Sequence, residues 1–473
     1  MAEKNGFGVR MSENLTSQGR SPAYELDRFQ QLGWAAGAMG TGMMIGAVSS
    51  YSLFIMTNLL GIGAALAGAL IGVSKFFDVI IDPIIGRISD RADTRWGRRR
   101  PFLLAGLCIA PFAFIALFNA PLLGDETMTA AYVLGVLLLI ALGTSLFMVP
   151  YMTMAAEMTG NYNERTILMS QRVFFNVMGL LTMTVILPQL IVRFGGGAPG
   201  YGRGGIVIAI LIAVIFFTTF WSTRRAKFLV KSADESYTLK DQLRFILSNR
   251  SFGCFIGAKI LSFLAQSSLQ GTLLLYAIYV LGRDERFLAP FGLGYSAGSV
   301  VALPLWAWLT TRVMAKRTAY MISTIGLGCV FLTWLLATPA EPTWVAFARF
   351  FVVGVFSTGS MTAGTAMLPD IMELDRRTTG VRQEGFYAAA YTLVENVGST
   401  IGPVLLGLAL GATGFISTRG KELADQPEAA ITAITMCVSI VPMTFCVLGA
   451  LTMLGYTVDK ELRAATEAQS GNA

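Results

Sequence analysis

Histidine is absent from this chain of 473 residues. Any proton movement therefore falls to carboxylates, because no imidazole is there to titrate near neutral pH. The five cysteines, Cys108, Cys254, Cys329, Cys437 and Cys446, stand singly inside apolar segments with no CxxC pair. They read as small buried hydrophobes, and neither a disulfide framework nor a zinc site is expected. Without histidine there is no helical HExxH, so the commonest metal signature of an enzyme embedded in lipid is missing. Charge is scarce as well, at 14% of residues against 54% hydrophobic. The first thirty residues lack the short apolar core and small-residue cleavage site of a removable signal peptide, so the first helix is expected to act as its own insertion signal.

What is present is a series of apolar runs long enough to cross a bilayer. They fall near 31 to 59, 62 to 88, 101 to 120, 130 to 156, 167 to 192, 204 to 222, 253 to 281, 288 to 311, 319 to 338, 344 to 368, 386 to 411 and 429 to 456. The expected architecture is an all-α integral membrane protein of twelve transmembrane helices. The longest internal connection, 223–252, is rich in charge and divides the chain into six-helix halves at 31–222 and 253–456, flanked by polar tails at 1–30 and 457–473. That is the layout of a carrier built from two repeats around a central site.

The net charge of +7 is distributed among short loops. Arg91, Arg95, Arg98 to Arg100, Arg165, Arg224, Arg225, Lys227, Lys231, Lys240, Arg244, Arg250, Lys316, Arg317, Arg376, Arg377 and Arg382 fall on one side of the spans. The opposite loops carry few basic residues. The excess marks the cytoplasmic side, and an even span count puts both termini there. This distribution sets topology and gives no reason to expect nucleic-acid binding.

The stretch 71–101, IGVSKFFDVIIDPIIGRISDRADTRWGRRRP, organises the rest. Lys75, Asp78 and Asp82 sit at steps of three and four, so all three share one face of an otherwise apolar helix. Charges at membrane depth face a protein interior or a water-filled cavity, where they pair or handle ions. The alternative for Lys75 is simple neutralisation of Asp78.

Two further stripes are polar. Lys259, Ser262, Gln266 and Gln270 follow one another on span seven, and Tyr387, Tyr391, Glu395 and Ser399, with Thr392 and Asn396 beside them, on span eleven. Such side chains hydrogen-bond hydroxyls, and tyrosine rings add apolar faces, which suits a polyhydroxylated ligand. For any single serine or glutamine, hydrogen bonding between helices is the stronger alternative. Lys259 has a second alternative, snorkelling to the cytoplasmic interface. Glycines 33, 37, 40, 42 and 46 on span one predict close helix packing. The loop holding Asp90, Arg91, Asp93, Arg95, Arg98 and Arg99 satisfies the positive-inside rule, and its acid residues allow an ion-pair network that opens and closes that side.

These residues resemble a known family. The run Asp78-Val-Ile-Ile-Asp82-Pro-Ile-Ile-Gly86, followed by Arg95-Trp-Gly97 and Arg100-Pro101, is similar to the hallmark of the glycoside-pentoside-hexuronide:cation symporters of the major facilitator superfamily. Ala156-Glu157-Met158-Thr159 with Glu164-Arg165-Thr166, and Asp370 to Asp375 with Arg382-Gln383-Glu384-Gly385, agree with two further blocks. The resemblance implies a cation site at Asp78 and Asp82, with Lys75 as charge partner and hydroxyls from Ser145 and Thr392. If the cation is sodium, Asp78 and Asp82 are its expected metal ligands. With the polar stripes of spans seven and eleven, the expected substrate contacts are Tyr151, Arg172, Asn176, Gln266, Gln270, Tyr387, Tyr391, Glu395 and Asn396. The resemblance adds Glu157, Arg165, Asp370, Glu373, Asp375, Arg382 and Glu384 to the expected cytoplasmic gate. The departures also inform. Acidic residues that bind sugar hydroxyls in the family align with Gly40 and Met148, a tryptophan with Met152, a lysine with Asn396, and an arginine with Val173, next to Arg172.

The implied function is cation-coupled symport of a sugar or glycoside by alternating access in the bacterial inner membrane, by a monomer surrounded by lipid, with Na+ or H+ as coupling ion and no cofactor. Two adjacent ionised acids in a dry site repel, and a sodium ion or proton relieves them. An apolar or amphiphilic substrate such as a lysolipid is the alternative left by the lost acids. A membrane enzyme or sensor is disfavoured by the absence of a nucleophile or metal cluster and of an appended soluble domain.

Overall fold

The computed structural model describes residues 26–159, 162–225, 250–379, 384–420 and 424–458, and among these there is no strand. Helix is what lipid demands, since each backbone N–H and C=O must be satisfied within the segment. In chain order the long helices are α1 (Arg28–Leu59), α2 (Ala64–Arg91), α3 (Arg100–Phe118), α4 (Glu126–Met158), α5 (162–193), α6 (Gly197–Ser222), α7 (Arg250–Val280), α8 (Glu285–Val313), α9 (Lys316–Leu336), α10 (Thr343–Thr379), α11 (Glu384–Ala412) and α12 (Glu428–Gly455). Among the described residues eleven are long and apolar enough to cross a membrane, and Ile401–Ala412 of α11 is a shorter apolar helix. The preceding part of α11 carries the polar stripe.

One departure from the sequence reading is at α6, which starts at Gly197 rather than near 204. The run GGGAPGYGRGG is a poor helix former by propensity. Packing overrides this. A Cβ at Gly200 would lie 2.5 Å from the Ile191 carbonyl oxygen, and one at Gly205 would lie 2.4 Å from the Phe118 Cβ. Similarly, α7 already includes Arg250, three residues ahead of the expected span. Residues 226–249 of the expected linker, the tail at 1–25 and residues 459–473 lie outside the described residues.

In the first half α1 packs on α5 and α6, α3 on α4 and α6, and α2 on α4; in the second, α7 packs on α11 and α12, α9 on α10 and α12, and α8 on α10. The glycines of α1 lie at these contacts: Gly33 against Ser222, Gly37 against Tyr151 and Thr219, Gly40 against Phe216, and Gly42 against Asn176. Between the halves, α2 meets α11, α1 meets α7 and α5 meets α8.

The close approaches between halves cluster at the end away from the basic loops. Gly68 and Gly72 of α2 cross Gly407 and Val404 of α11, and Gly292 of α8 lies against Thr184 of α5. The segment Ser417 to Gly420, between α11 and α12, is laid along the turn joining α1 to α2. Thr418 N donates to Thr57 O at 2.8 Å and Gly420 N to Asn58 O at 3.1 Å. Ser417 Oγ donates to Ile62 O at 2.8 Å, Thr418 Oγ1 to Asn58 O at 2.8 Å, and Tyr279 OH to Asn58 Oδ1. Gly61 permits the turn by adopting φ +71°, the left-handed region that glycine enters without steric cost. The buried apolar core repeats this asymmetry. One continuous cluster runs through both halves, whereas Phe252, Trp306, Tyr320, Met367 and Tyr387 belong to a separate cluster confined to the second half.

Candidate functional site

α2 carries its three ionisable residues on one face, as the spacing predicts. Lys75 Nζ pairs with Asp78 Oδ2 at 3.3 Å, and the two side chains keep 21% and 22% of their exposure, so they border open space. Asp82 lies one turn further toward the basic end, facing the Ser145 hydroxyl of α4 and within electrostatic range of Asp78 and Lys75. Asp78, Asp82, Ser145 and Lys75 are thus brought together; the Thr392 side chain lies outside those described. Pro83 adds something the sequence reading overlooked. Sitting inside the helix, it has no N–H for the Val79 carbonyl, which leaves an oxygen one turn from Asp82 without its helical donor. Carboxylate, hydroxyl and carbonyl oxygens are the ligand chemistry of a hard cation, and the carboxylates alone suit a proton. Among the described residues no group of three or more His, Cys, Asp or Glu gathers as a metal site.

A second charged group spans both halves. Glu395 of α11 is exposed and lies within electrostatic range of Lys259 on α7 and of Arg172 on α5. Asp82, Arg172, Lys259 and Glu395 each lie at least nine residues inside their helices from the basic end. At 1.5 Å per residue each lies about 13 Å or more along its own helix axis from that end. Lys259 does not snorkel. It is only 4% exposed, and its ammonium lies 5.3 Å from the centroid of the Tyr320 ring, against Gly364 of α10. Stem length decided this: Lys259 is several turns inside α7, too deep to reach the interface, and it faces the bundle.

The remaining expected substrate contacts divide. Tyr391 lies beside Glu395, between Phe255 and Phe263. Asn176 is exposed, with Nδ2 donating to Ala38 O at 3.5 Å. Gln266 and Gln270 are half-buried and make no hydrogen bond to another described side chain. Tyr151 and Tyr387, by contrast, are packed inside their halves. Tyr151 stacks on Trp34 at 4.7 Å and accepts its indole N–H through the backbone carbonyl at 3.1 Å, while its buried hydroxyl points toward Arg172. Tyr387 meets Phe252 edge to face at 4.7 Å. The Asn396 side chain lies outside those described.

At the basic end, Arg99 is a buried hub. Its guanidinium reaches Glu157 at 2.7 Å, Asp90 at 2.5 Å and Ser89 Oγ at 2.7 Å, and Arg98 adds a contact to Glu157 at 3.1 Å. Burial works against the Arg99 charge, but the bonds and charges of Glu157 and Asp90 outweigh it and hold the group above its ordinary pKa. This network ties α2, α3 and α4 together within the first half. Arg91, Asp93 and Arg95 are exposed outside it, with Arg95 5.1 Å from the Trp96 ring centroid. In the second half Lys316, which the sequence reading left out of the gate, pairs with Asp370 at 2.6 Å and donates to Ala366 O at 3.0 Å. Glu373 is half-buried and Asp375 buried on the same helix. The side chains of Arg165, Arg382 and Glu384 lie outside those described.

Residues 33–460 match the family described as MFS/sugar transport protein. The isoprimeverose transporter of Lactiplantibacillus pentosus is 27% identical over 87% of this chain and 85% of its own. The glucuronide carrier protein homolog of Escherichia coli is 26% identical over 91% and 93%. Among solved structures, a bacterial homolog of the human lysosomal transporter Spinster, inward-facing and unoccupied, superposes with a TM-score of 0.62 over 91% of this chain and 96% of its own at 13% identity, a likeness of fold. Twelve long helices among the described residues, in two packed sets, and this coverage agree: the chain belongs to the MFS/sugar transport protein family of glycoside-pentoside-hexuronide type symporters, and is a multi-pass membrane transporter rather than an enzyme.

Proposed function

We propose that the chain carries a sugar or glycoside across the membrane together with Na+ or H+, by alternating access. The observation that carries this reading is a pair of charged groups inside the helices, Lys75-Asp78-Asp82 with Ser145 in the first half and Glu395 with Lys259 and Arg172 around it. The first supplies a cation site. The second, with Tyr391, Gln266, Gln270 and Asn176 at hand, supplies polar contacts for a hydroxylated substrate. The relatives support the substrate class, being named for an isoprimeverose transporter and a glucuronide carrier.

Coupling follows from electrostatics. With Lys75 engaged by Asp78, Asp82 keeps a negative charge that a cation neutralises. A cation bound there stabilises the conformation that binds substrate, and linkage requires the converse. Among the described residues the contacts between halves lie at the end away from the basic loops, and the positive-inside rule makes the basic end cytoplasmic, so on this reading the site faces the cytoplasm. The functional unit of this proposal is a monomer.

The test is uptake of labelled glycosides, uronides and lysolipids into proteoliposomes under sodium and proton gradients imposed separately. Gradient-driven sugar uptake lost in Asp78→Asn and Asp82→Asn supports the reading and names the ion. Uptake confined to lysolipids removes the sugar. Cation dependence that persists in Asp82→Asn removes the ion site.

A further inference from the structure

At the basic end of the first half, arginines and aromatic rings alternate across two helices and a loop. Arg95 of the α2–α3 loop lies 5.1 Å from the Trp96 ring centroid, and Trp96 meets the Phe220 ring of α6 edge to face at 6.5 Å. Arg100, in the first turn of α3, stands over that same Phe220 ring at 4.5 Å and donates to the Phe220 carbonyl at 3.3 Å. Arg224, in the turn that follows α6, stands over the Trp221 ring at 4.1 Å, and Trp221 stacks on Phe217 at 5.9 Å. Trp96, Trp221 and Phe217 keep 41%, 46% and 51% of their exposure, so the rings form an apolar surface studded with guanidinium groups.

Among the described residues, none of these three arginines forms an ion pair. The acids nearby are engaged elsewhere or unpaired: Glu157 and Asp90 are taken by Arg98 and Arg99, and Asp93 is exposed with no ion pair to a described residue. Arg100 instead lies within electrostatic range of a like charge, Arg224, and its Nε is buried with no hydrogen-bond partner among the described residues. Capping of α6 accounts for the bond to the Phe220 carbonyl, yet it leaves the Nε donor unused. The positive-inside rule asks for basic residues in the loop, and it does not ask that they be stacked on exposed rings. An anion held there satisfies the donor and relieves the repulsion.

We infer that this face of α3 and α6 binds the headgroup of an anionic phospholipid from the cytoplasmic leaflet. The phosphate oxygens accept hydrogen bonds from Arg100 and Arg224, whose planar forks match a phosphate. Trp96 and Trp221 sit at headgroup level, as such rings do at a membrane interface, and Phe217, one turn deeper along α6, meets the start of the acyl chains. Exposed rings beside the arginines favour a lipid over a free phosphate, because only a lipid covers both. Arg100 directly follows the Arg99 hub, so the lipid steadies the helix end that carries the cytoplasmic network. None of this depends on which substrate is carried.

The full chain, purified in a mild detergent, is titrated with phosphatidylglycerol and with phosphatidylcholine of the same acyl chains, and bound lipid is counted by native mass spectrometry. Phosphatidylglycerol is expected to bind at least tenfold more tightly. An arginine at an anionic surface contributes roughly fivefold, so Arg224→Gln lowers phosphatidylglycerol affinity about fivefold and Arg100→Gln with Arg224→Gln more than tenfold, with phosphatidylcholine binding unchanged. The control pair Arg250→Gln with Arg312→Gln removes the same charge from exposed arginines of the second half and retains the preference. Equal losses in the two pairs would mean diffuse attraction of charge and overturn the site, as would a natural chain without preference. Glycerol 3-phosphate in excess should leave the lipid bound; displacement would assign the arginines to a free phosphate and overturn the lipid reading. Arg224 is exposed and outside the core, so Arg224→Gln compared with Arg250→Gln decides alone if a double variant does not fold.

Discussion

Gly68 of α2 and Gly407 of α11 cross with their backbones in contact: a Cβ added at Gly68 would lie 2.8 Å from the Gly407 Cα, and one added at Gly407 would lie 2.7 Å from the Gly68 Cα. Small residues at a crossing let two membrane helices approach to backbone contact. Here the crossing joins the halves.

Gly407→Val therefore wedges the halves apart where they now close. Overpacking of this kind costs about 1 to 3 kcal/mol. The expected outcome is a lowered Tm in detergent and at least a tenfold loss of gradient-driven uptake. Unaltered uptake with an unaltered Tm would mean that the crossing tolerates a side chain.

The strand-like seam between Ser417 to Gly420 and the α1–α2 turn must part for the site to face the opposite side. In a chain with its five cysteines replaced by serine or alanine, Asn58→Cys with Thr418→Cys should cross-link under mild oxidation. Uptake should then stop, and reductant should restore it. Continued transport in the cross-linked protein would show that the seam does not open.

Glu157→Gln withdraws the charge that Arg98 and Arg99 share. Removing one partner of a buried pair costs on the order of 3 kcal/mol, because the other charge stays buried. The variant should unfold at a lower temperature, and the double variant Arg99→Met with Glu157→Leu should recover part of the loss. A double variant less stable than the single one would contradict the pairing.

Ser145→Ala removes the hydroxyl facing Asp82 and leaves both carboxylates in place. A hydrogen bond of this kind is worth about 1 kcal/mol, roughly a fivefold change in apparent cation affinity. The half-saturating cation concentration should rise by about that factor with little change in maximal rate. An identical cation titration would place Ser145 outside the ion site.

Much of the fold was legible in the residues themselves. Lipid leaves the backbone no option but helix, so the apolar runs gave twelve spans, and the i, i+3, i+7 spacing put Lys75, Asp78 and Asp82 on one face before any neighbour was known. Spacing along one helix says nothing of what stands opposite. That Lys259 is buried beside Tyr320 rather than extended to the interface depends on α9 and α10, whose residues lie some sixty and a hundred positions further on. That Asp90 and Glu157 share Arg99, and that Asp370 takes Lys316 rather than a partner from the other half, depends on which helix ends the fold sets side by side. The glycine run before residue 204 is helical only because Ile191 and Phe118 press against it. Periodicity is a local property, fixed by 3.6 residues per turn and the need to satisfy the backbone within lipid. The pairing of charges is a property of helices from distant parts of the chain, and only the packing of the two halves decides it.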